Sequence, residues 1–179
     1  MHRQAVLRLL HAHLERVTDP HERTMTLDTI RFVETHANCL QRSCAPGHLT
    51  GSAWIVSSDR RRTLLTHHRK LDKWLQLGGH ADGEGDLVAV ALREAREESG
   101  LAGLRVVSPE IFDVDRHLIP AGKSDPGHHH YDLRFLCEAD PAEPFAVSDE
   151  SHDLSWAPLD QVVALNPEES MARMVRKTR

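Results

Sequence analysis

Aromatic residues make up only 4% of this 179-residue chain. With so few rings, Trp74, Phe112 and Tyr131 stand between two uses, stacking a flat ligand group or filling the core. Cysteine is also scarce. Cys39, Cys44 and Cys137 form an odd, sparse set that gives no disulfide framework and points to a reducing, cytoplasmic setting. The spacing of Cys39, Cys44 and His48 is not that of a recognised zinc finger. No apolar run is long enough to span a bilayer, so no membrane partner is expected. The first residues, "MHRQAVLRLLHAHLERV", carry charges every few positions and lack the apolar centre of a secretory signal. Nor is there a basic excess: 22 basic against 27 acidic residues leave a net charge of −5, which argues against duplex nucleic acid as a partner.

What remains is the composition of a water-soluble globular protein, 40% hydrophobic and 27% charged, with an unusual count of 14 histidines. The length suits one domain with an added arm. Val6, Leu7, Leu10, Leu14 and Val17 recur at helical spacing. A second helix begins at Asp19–Pro20, a capping residue followed by a proline suited to the first turn, and shows Met25, Leu27, Ile30 and Val33 as its apolar side. Residues 1–45 are therefore expected to form an N-terminal helical arm. Strand patterns follow at "LTGSAWIVSS" and "RTLLTHH", a hairpin in expectation, and again at "LRVVSPEIFDVDRHLI" and "HHHYDLRFLCEA". "LSWAPLDQVVAL" reads as a short strand and a helix opened by Pro158. "NPEESMARMVRK" reads as a last helix capped by Asn166. Helices, strands with one inserted helix, more strands and closing helices make an α+β pattern, layered α/β/α with a mixed sheet.

The inserted helix carries the chemistry. In "GGHADGEGDLVAVALREAREESGL", it is expected from an N-cap at Asp86 to Ser99, with Gly100 as its stop. At about 100° per residue, Glu94, Glu97 and Glu98 share one sector of roughly 100°. Val88, Ala91, Leu92 and Ala95 form the adjacent apolar stripe, and Arg93 and Arg96 point elsewhere. The like-charge pair Glu94/Glu98 costs a few tenths of a kcal/mol. Acids near a helix C-terminus are disfavoured by roughly 0.3–1 kcal/mol each. A hard divalent cation, which seeks carboxylate oxygens, would offset that cost.

These residues resemble the signature of the Nudix hydrolases, G-x5-E-x7-R-E-U-x-E-E-x-G-U with U apolar. Gly79, Arg93, Glu94, Ala95, Glu97, Glu98, Gly100 and Leu101 match it. The early glutamate falls on Gly85, flanked by Glu84 and Asp86, either of which is a stand-in as partner of Arg93. The resemblance covers roughly residues 48–165 and implies a Nudix-like catalytic domain, 46–179, that includes the C-terminal helices. It also implies a Mg²⁺- or Mn²⁺-dependent pyrophosphohydrolase acting on a small nucleoside diphosphate-linked or related substrate. Glu94, Glu97 and Glu98 would be the metal ligands, Arg93, Glu97 and Glu98 catalytic, and Glu150, just before the closing strand, the base. Trp74, Arg69 and Gly79 are candidates for substrate contact, with Lys70 and Lys73 as further phosphate-facing bases. A homodimer is compatible with the arm. The competing class is a non-catalytic Nudix-fold module for ligand sensing or interaction, which the Gly85 departure favours.

"GHLTGSAWIV" and "KWLQLGGH" also resemble two segments of isopentenyl diphosphate isomerase, which shares the fold and uses a metal-binding histidine in each. His48 and His80 match, but Gly78 stands where that enzyme needs its cysteine, which counts against isomerase activity. Strand alternation puts His128 and His130 on one face and His129 on the other. His48, His80, His128 and His130 are thus expected to converge near the cleft. They would offer either a second site for Mn²⁺ or Zn²⁺, or imidazolium contacts to substrate phosphate.

Overall fold

The computed structural model describes residues 2–122 and 126–179. Two helices, α1 (His2–Leu14) and α2 (Pro20–Thr35), precede β1 (Gly47–Val56), β2 (Arg62–His68), β3 (Lys73–Leu75) and β4 (Leu77–His80). Then come α3 (Leu87–Ser99), β5 (Arg105–Ile119), β6 (His128–Glu138), β7 (Ser151–Pro158), α4 (Val162–Leu165) and α5 (Glu169–Thr178). The strands make one mixed sheet in the order β3-β2-β1-β6-β5, with β4 also paired to β1 and β7 to β2. Only β1 and β6 run parallel; the other pairs are antiparallel.

The sheet separates two apolar layers. On one face Leu49, Ala53 and Ile55 of β1, with Tyr131, Leu133, Phe135 and Cys137 of β6, pack against α1, α2 and α3 in a single cluster. On the other, Trp54 and Val56 pack with Leu65, Val162, Met171, Met174 and Val175 beneath α4 and α5. Trp54 is fully buried, and its indole N–H donates to Thr178 Oγ1 at 2.8 Å, which fastens α5 to the sheet. Tyr131 stacks on Phe32 of α2 with 3.9 Å between ring centroids, so this ring serves the core. Among the described residues no helix is long and apolar enough to cross a membrane.

Several expectations need correction. The expected antiparallel hairpin of β1 and β2 forms but pairs only at Ile55–Leu64 and Val56–Thr63, because β2 then leaves to join β3 and β7 while β4 takes the vacated edge of β1. His80 ends β4, a strand that the sequence pattern does not show. The helix after β7 begins at Val162 and is a single turn, while Pro158 closes the strand. Asn166 does not cap α5. It ends α4 instead, with its amide donating to the Trp74 carbonyl and its side-chain oxygen accepting from the Glu168 N–H. Leu27 is exposed, because the buried side of α2 runs through Met25, Thr26, Thr29, Ile30 and Val33.

Candidate functional site

Alternation on two parallel strands builds the site. The register pairs His48 with His130, Thr50 with Asp132 and Ser52 with Arg134. β5 continues each row with His117, Asp115 and Asp113. These positions share the face that farther along carries Trp54, so one face changes from apolar core beneath α5 to a polar floor. Thr50 and Ser52 donate to one oxygen of Asp132 at 2.9 and 2.7 Å; Gln76 and Arg134 donate to the other at 3.0 and 2.8 Å. Burial would raise the Asp132 pKa, but Arg134 and the donors hold it below the usual carboxylate range. The cleft over this floor, about 400 Å³, is lined in part by Lys70, Lys73, Gln76, Gly78, Gly79 and Asp132. A second pocket of about 560 Å³ shares His68, Lys70 and Leu71 with it and extends to Arg42, His48, His80, His128 and His130.

The acidic helix forms as its ends dictate. Asp86 accepts the N–H of Ala89 at 3.1 Å, and Gly100 closes the helix in the left-handed region at φ 70°. Leu87, Val90, Ala91 and Ala95 are buried, while Val88 and Leu92 are only partly covered, so the apolar stripe is turned about the helix axis toward Leu87 and Val90. Glu98 accepts the N–H of Gly78 at 2.9 Å. Burial pushes its carboxyl up to about 8, with Glu150, Glu94 and Glu97 adding repulsion. Gly79 lies in close approach to Glu94: a Cβ there would sit 2.2 Å from Glu94 Oε2, so any side chain would displace that carboxylate. The glycine pair of β4 thus stands between the cleft and the carboxylates, and Glu97 faces solvent.

Arg93 does not point elsewhere. Its guanidinium donates to Glu94 at 2.8 Å and to the His80 carbonyl at 3.3 Å. Neither Glu84 nor Asp86 takes it as partner: Glu84 accepts the Asp86 N–H, and Asp86 is occupied as the N-cap. Gly85 has a local cause. A Cβ there would lie 2.5 Å from the Cβ of His2, so the first turn of α1 occupies the space of any side chain at this position.

The structure gathers His48, His80, His128 and His130, with ring centroids 4.8–5.3 Å apart in the contacting pairs. It adds His117, 5.5 Å from His130. Glu150 immediately precedes β7, close enough to raise Glu98 electrostatically. Trp74, Arg69 and Phe112 do not line the cleft. Trp74 is turned away between Lys73 and Leu75, stacked on His67 at 5.1 Å and packed on the second core. Arg69 donates instead to the Ser151 carbonyl at 3.0 Å. Phe112 packs under Lys177. Sequence reasoning passed over Asp132, Arg134, Gln76, His68 and Arg42. The alternation that singled out His128 and His130 continues through Asp132 and Arg134, which is the signal that was there to follow.

Comparison with known proteins agrees with this architecture. The model for the NUDIX domain matches residues 48–178. No curated protein matches significantly. Among solved structures, a C. elegans Ap4A hydrolase superposes with a TM-score of 0.58 at 17% identity, covering 72% of this chain and 93% of that one. The E. coli dihydroneopterin triphosphate pyrophosphohydrolase gives 0.56 at 15% identity, covering 72% and 92%. A UDP-X diphosphatase gives 0.53 at 18% identity and covers 98% of this chain, so the match extends over α1 and α2, and 91% of that one. With the signature on α3, the glycine pair against its acids and a family match over most of the length, the chain belongs to the Nudix hydrolase family.

Proposed function

We propose that this protein is a divalent-metal-dependent hydrolase of a nucleoside diphosphate-linked or related pyrophosphate. One observation carries the reading: Glu94, Glu97 and Glu98 of α3 gather with Glu150, so that partial burial, with repulsion from Glu150, Glu94 and Glu97 added, pushes the Glu98 carboxyl up to about 8 although it accepts the Gly78 N–H. Four carboxylates held in that arrangement suit a hard dication, Mg²⁺ or Mn²⁺, and Glu94, Glu97 and Glu98 would hold it. When bound, such an ion neutralises phosphate oxygens and lowers the pKa of a water it carries. Lys70 and Lys73 on the cleft wall attract the phosphates, and the polar floor orients them. Arg93 holds Glu94 in place. Glu150 is the base that accepts the proton of the water attacking phosphorus in line. The free, buried cysteines suit a reducing, cytoplasmic setting. The solved relatives named for Ap4A, UDP-X and dihydroneopterin triphosphate support the substrate class.

A panel of nucleotide pyrophosphates with Mg²⁺ or Mn²⁺, scored for released phosphate products, tests the reading. Turnover of one member that requires metal is expected. A ligand-sensing role is the second reading, favoured by Gly85 and by the likeness to a Nudix domain crystallised with ADP ribose. Saturable binding without turnover across the panel would establish it instead.

A further inference from the structure

We propose that His48, His128 and His130 bind a borderline transition-metal dication, Zn²⁺ in type, at a site built on β1 and β6 rather than on the acidic helix. The parallel register sets His48 beside His130, and His128 lies two residues earlier on the same face. One ligating nitrogen from each falls within 4.8 Å of the others. Around a tetrahedral Zn²⁺ with bonds of about 2.1 Å, nitrogens stand about 3.4 Å apart, so small side-chain rotations close the set. Among the described residues neither ring nitrogen of His48, which is 3% exposed, has a hydrogen-bond partner, nor does Nε2 of His130. Buried polar atoms are seldom left so, and a ligand on these nitrogens accounts for them.

The surroundings prepare the rings. The Pro126 carbonyl, 2.9 Å from His128 Nδ1, can only accept, so Nδ1 carries the proton and Nε2 offers its lone pair. Burial and the neighbouring imidazoles keep His48 and His130 neutral, the ligating form. Three neutral nitrogens select a borderline ion over Mg²⁺, which seeks oxygen. Three protein ligands leave a fourth position open, as in catalytic rather than structural zinc sites. That position faces the pocket walled by Arg42 and Lys70, so the exogenous ligand is an anionic oxygen such as that of a phosphate. The site does not rest on the pyrophosphohydrolase reading, because its readout is metal binding.

The test uses the full chain, stripped with a chelator and titrated with Co²⁺ alone. One saturable equivalent with the visible absorption of a low-coordinate nitrogen site is expected, displaced by Zn²⁺ and not by excess Mg²⁺. His128→Asn and His130→Asn should each weaken it by at least about tenfold, and Glu97→Gln should leave it intact. His128 is only half-buried, so unchanged circular dichroism of its variant separates ligand loss from misfolding. Absence of saturable Co²⁺ binding, or an unaltered band in both histidine variants, would overturn the proposal. So would histidine-dependent binding of inorganic phosphate with no Co²⁺ band, which would mark the rings as phosphate contacts.

Discussion

Glu98 carries a conflict that one carboxylate makes visible. Its environment raises its pKa from 4.5 to about 8 in the folded chain, so the charged form is disfavoured there. The folded state therefore holds the proton more tightly, and stability falls as pH rises from about 4.5 to about 8. Glu98→Gln keeps an oxygen for the Gly78 N–H and removes the charge. In metal-free protein we expect the variant to match wild type near pH 4 and to exceed it above pH 8 by up to about 5 kcal/mol, at about 1.4 kcal/mol per unit. Urea melts across that range check this. On a confirmed substrate the same change, and Glu97→Gln, should lower turnover by orders of magnitude with the fold intact. Near-normal rates in both would remove these residues from the site. The triplet itself was legible because helical geometry is local, and so was its fit to a cation. The proton on Glu98 was not, because it comes from burial in the folded chain and from Glu150, which lies far from it in sequence.

Secondary elements are joined by buried charge that no pattern announced. Arg173 of α5 donates to both oxygens of Asp113 on β5, at 2.7 and 2.9 Å, and to the Val114 carbonyl. Arg134 of β6 reaches Asp113 at 3.1 Å, and Lys177 reaches Glu22 of α2, which also accepts from His13. Burial would raise the Glu22 pKa, but the bonds from His13 and Lys177 lower it on balance. Asp113→Ala removes the bidentate partner of the buried Arg173 guanidinium and one of the bonds of Arg134, and should cost about 3–5 kcal/mol, read from denaturant melts. A loss under 1 kcal/mol would show that the network is dispensable. A second expectation concerns Gly85→Glu, which restores the signature glutamate but drives a side chain into His2. Amide exchange in the first turn of α1 should accelerate, while that of α3 stays slow. The long helices and strands could be read from their periods and caps. β3 and β4, three and four residues long, could not, since so few positions display no period.

The arm and the sheet share one apolar cluster, with Val6, Leu10, Phe32 and Val33 packed together with Val114, Tyr131 and Leu133. Deleting residues 1–40 uncovers that layer, and we expect aggregation or a change of oligomeric state in gel filtration. A soluble, fully active monomer would show the arm to be expendable. The residues alone settled the order of the longer elements, the layered class, the acid helix with its caps and the family signature, because each is a contiguous pattern governed by helical or strand period. They also put His128 and His130 on one face. Only the folded chain decided that His48 joins them, that Trp74 faces the core, and that Asp132 and Arg134 floor the cleft. Those outcomes depend on sheet register between strands some eighty positions apart. A shift of one residue would turn every side chain of β6 to the other face, and tertiary packing selects the register that buries Leu133 and Phe135.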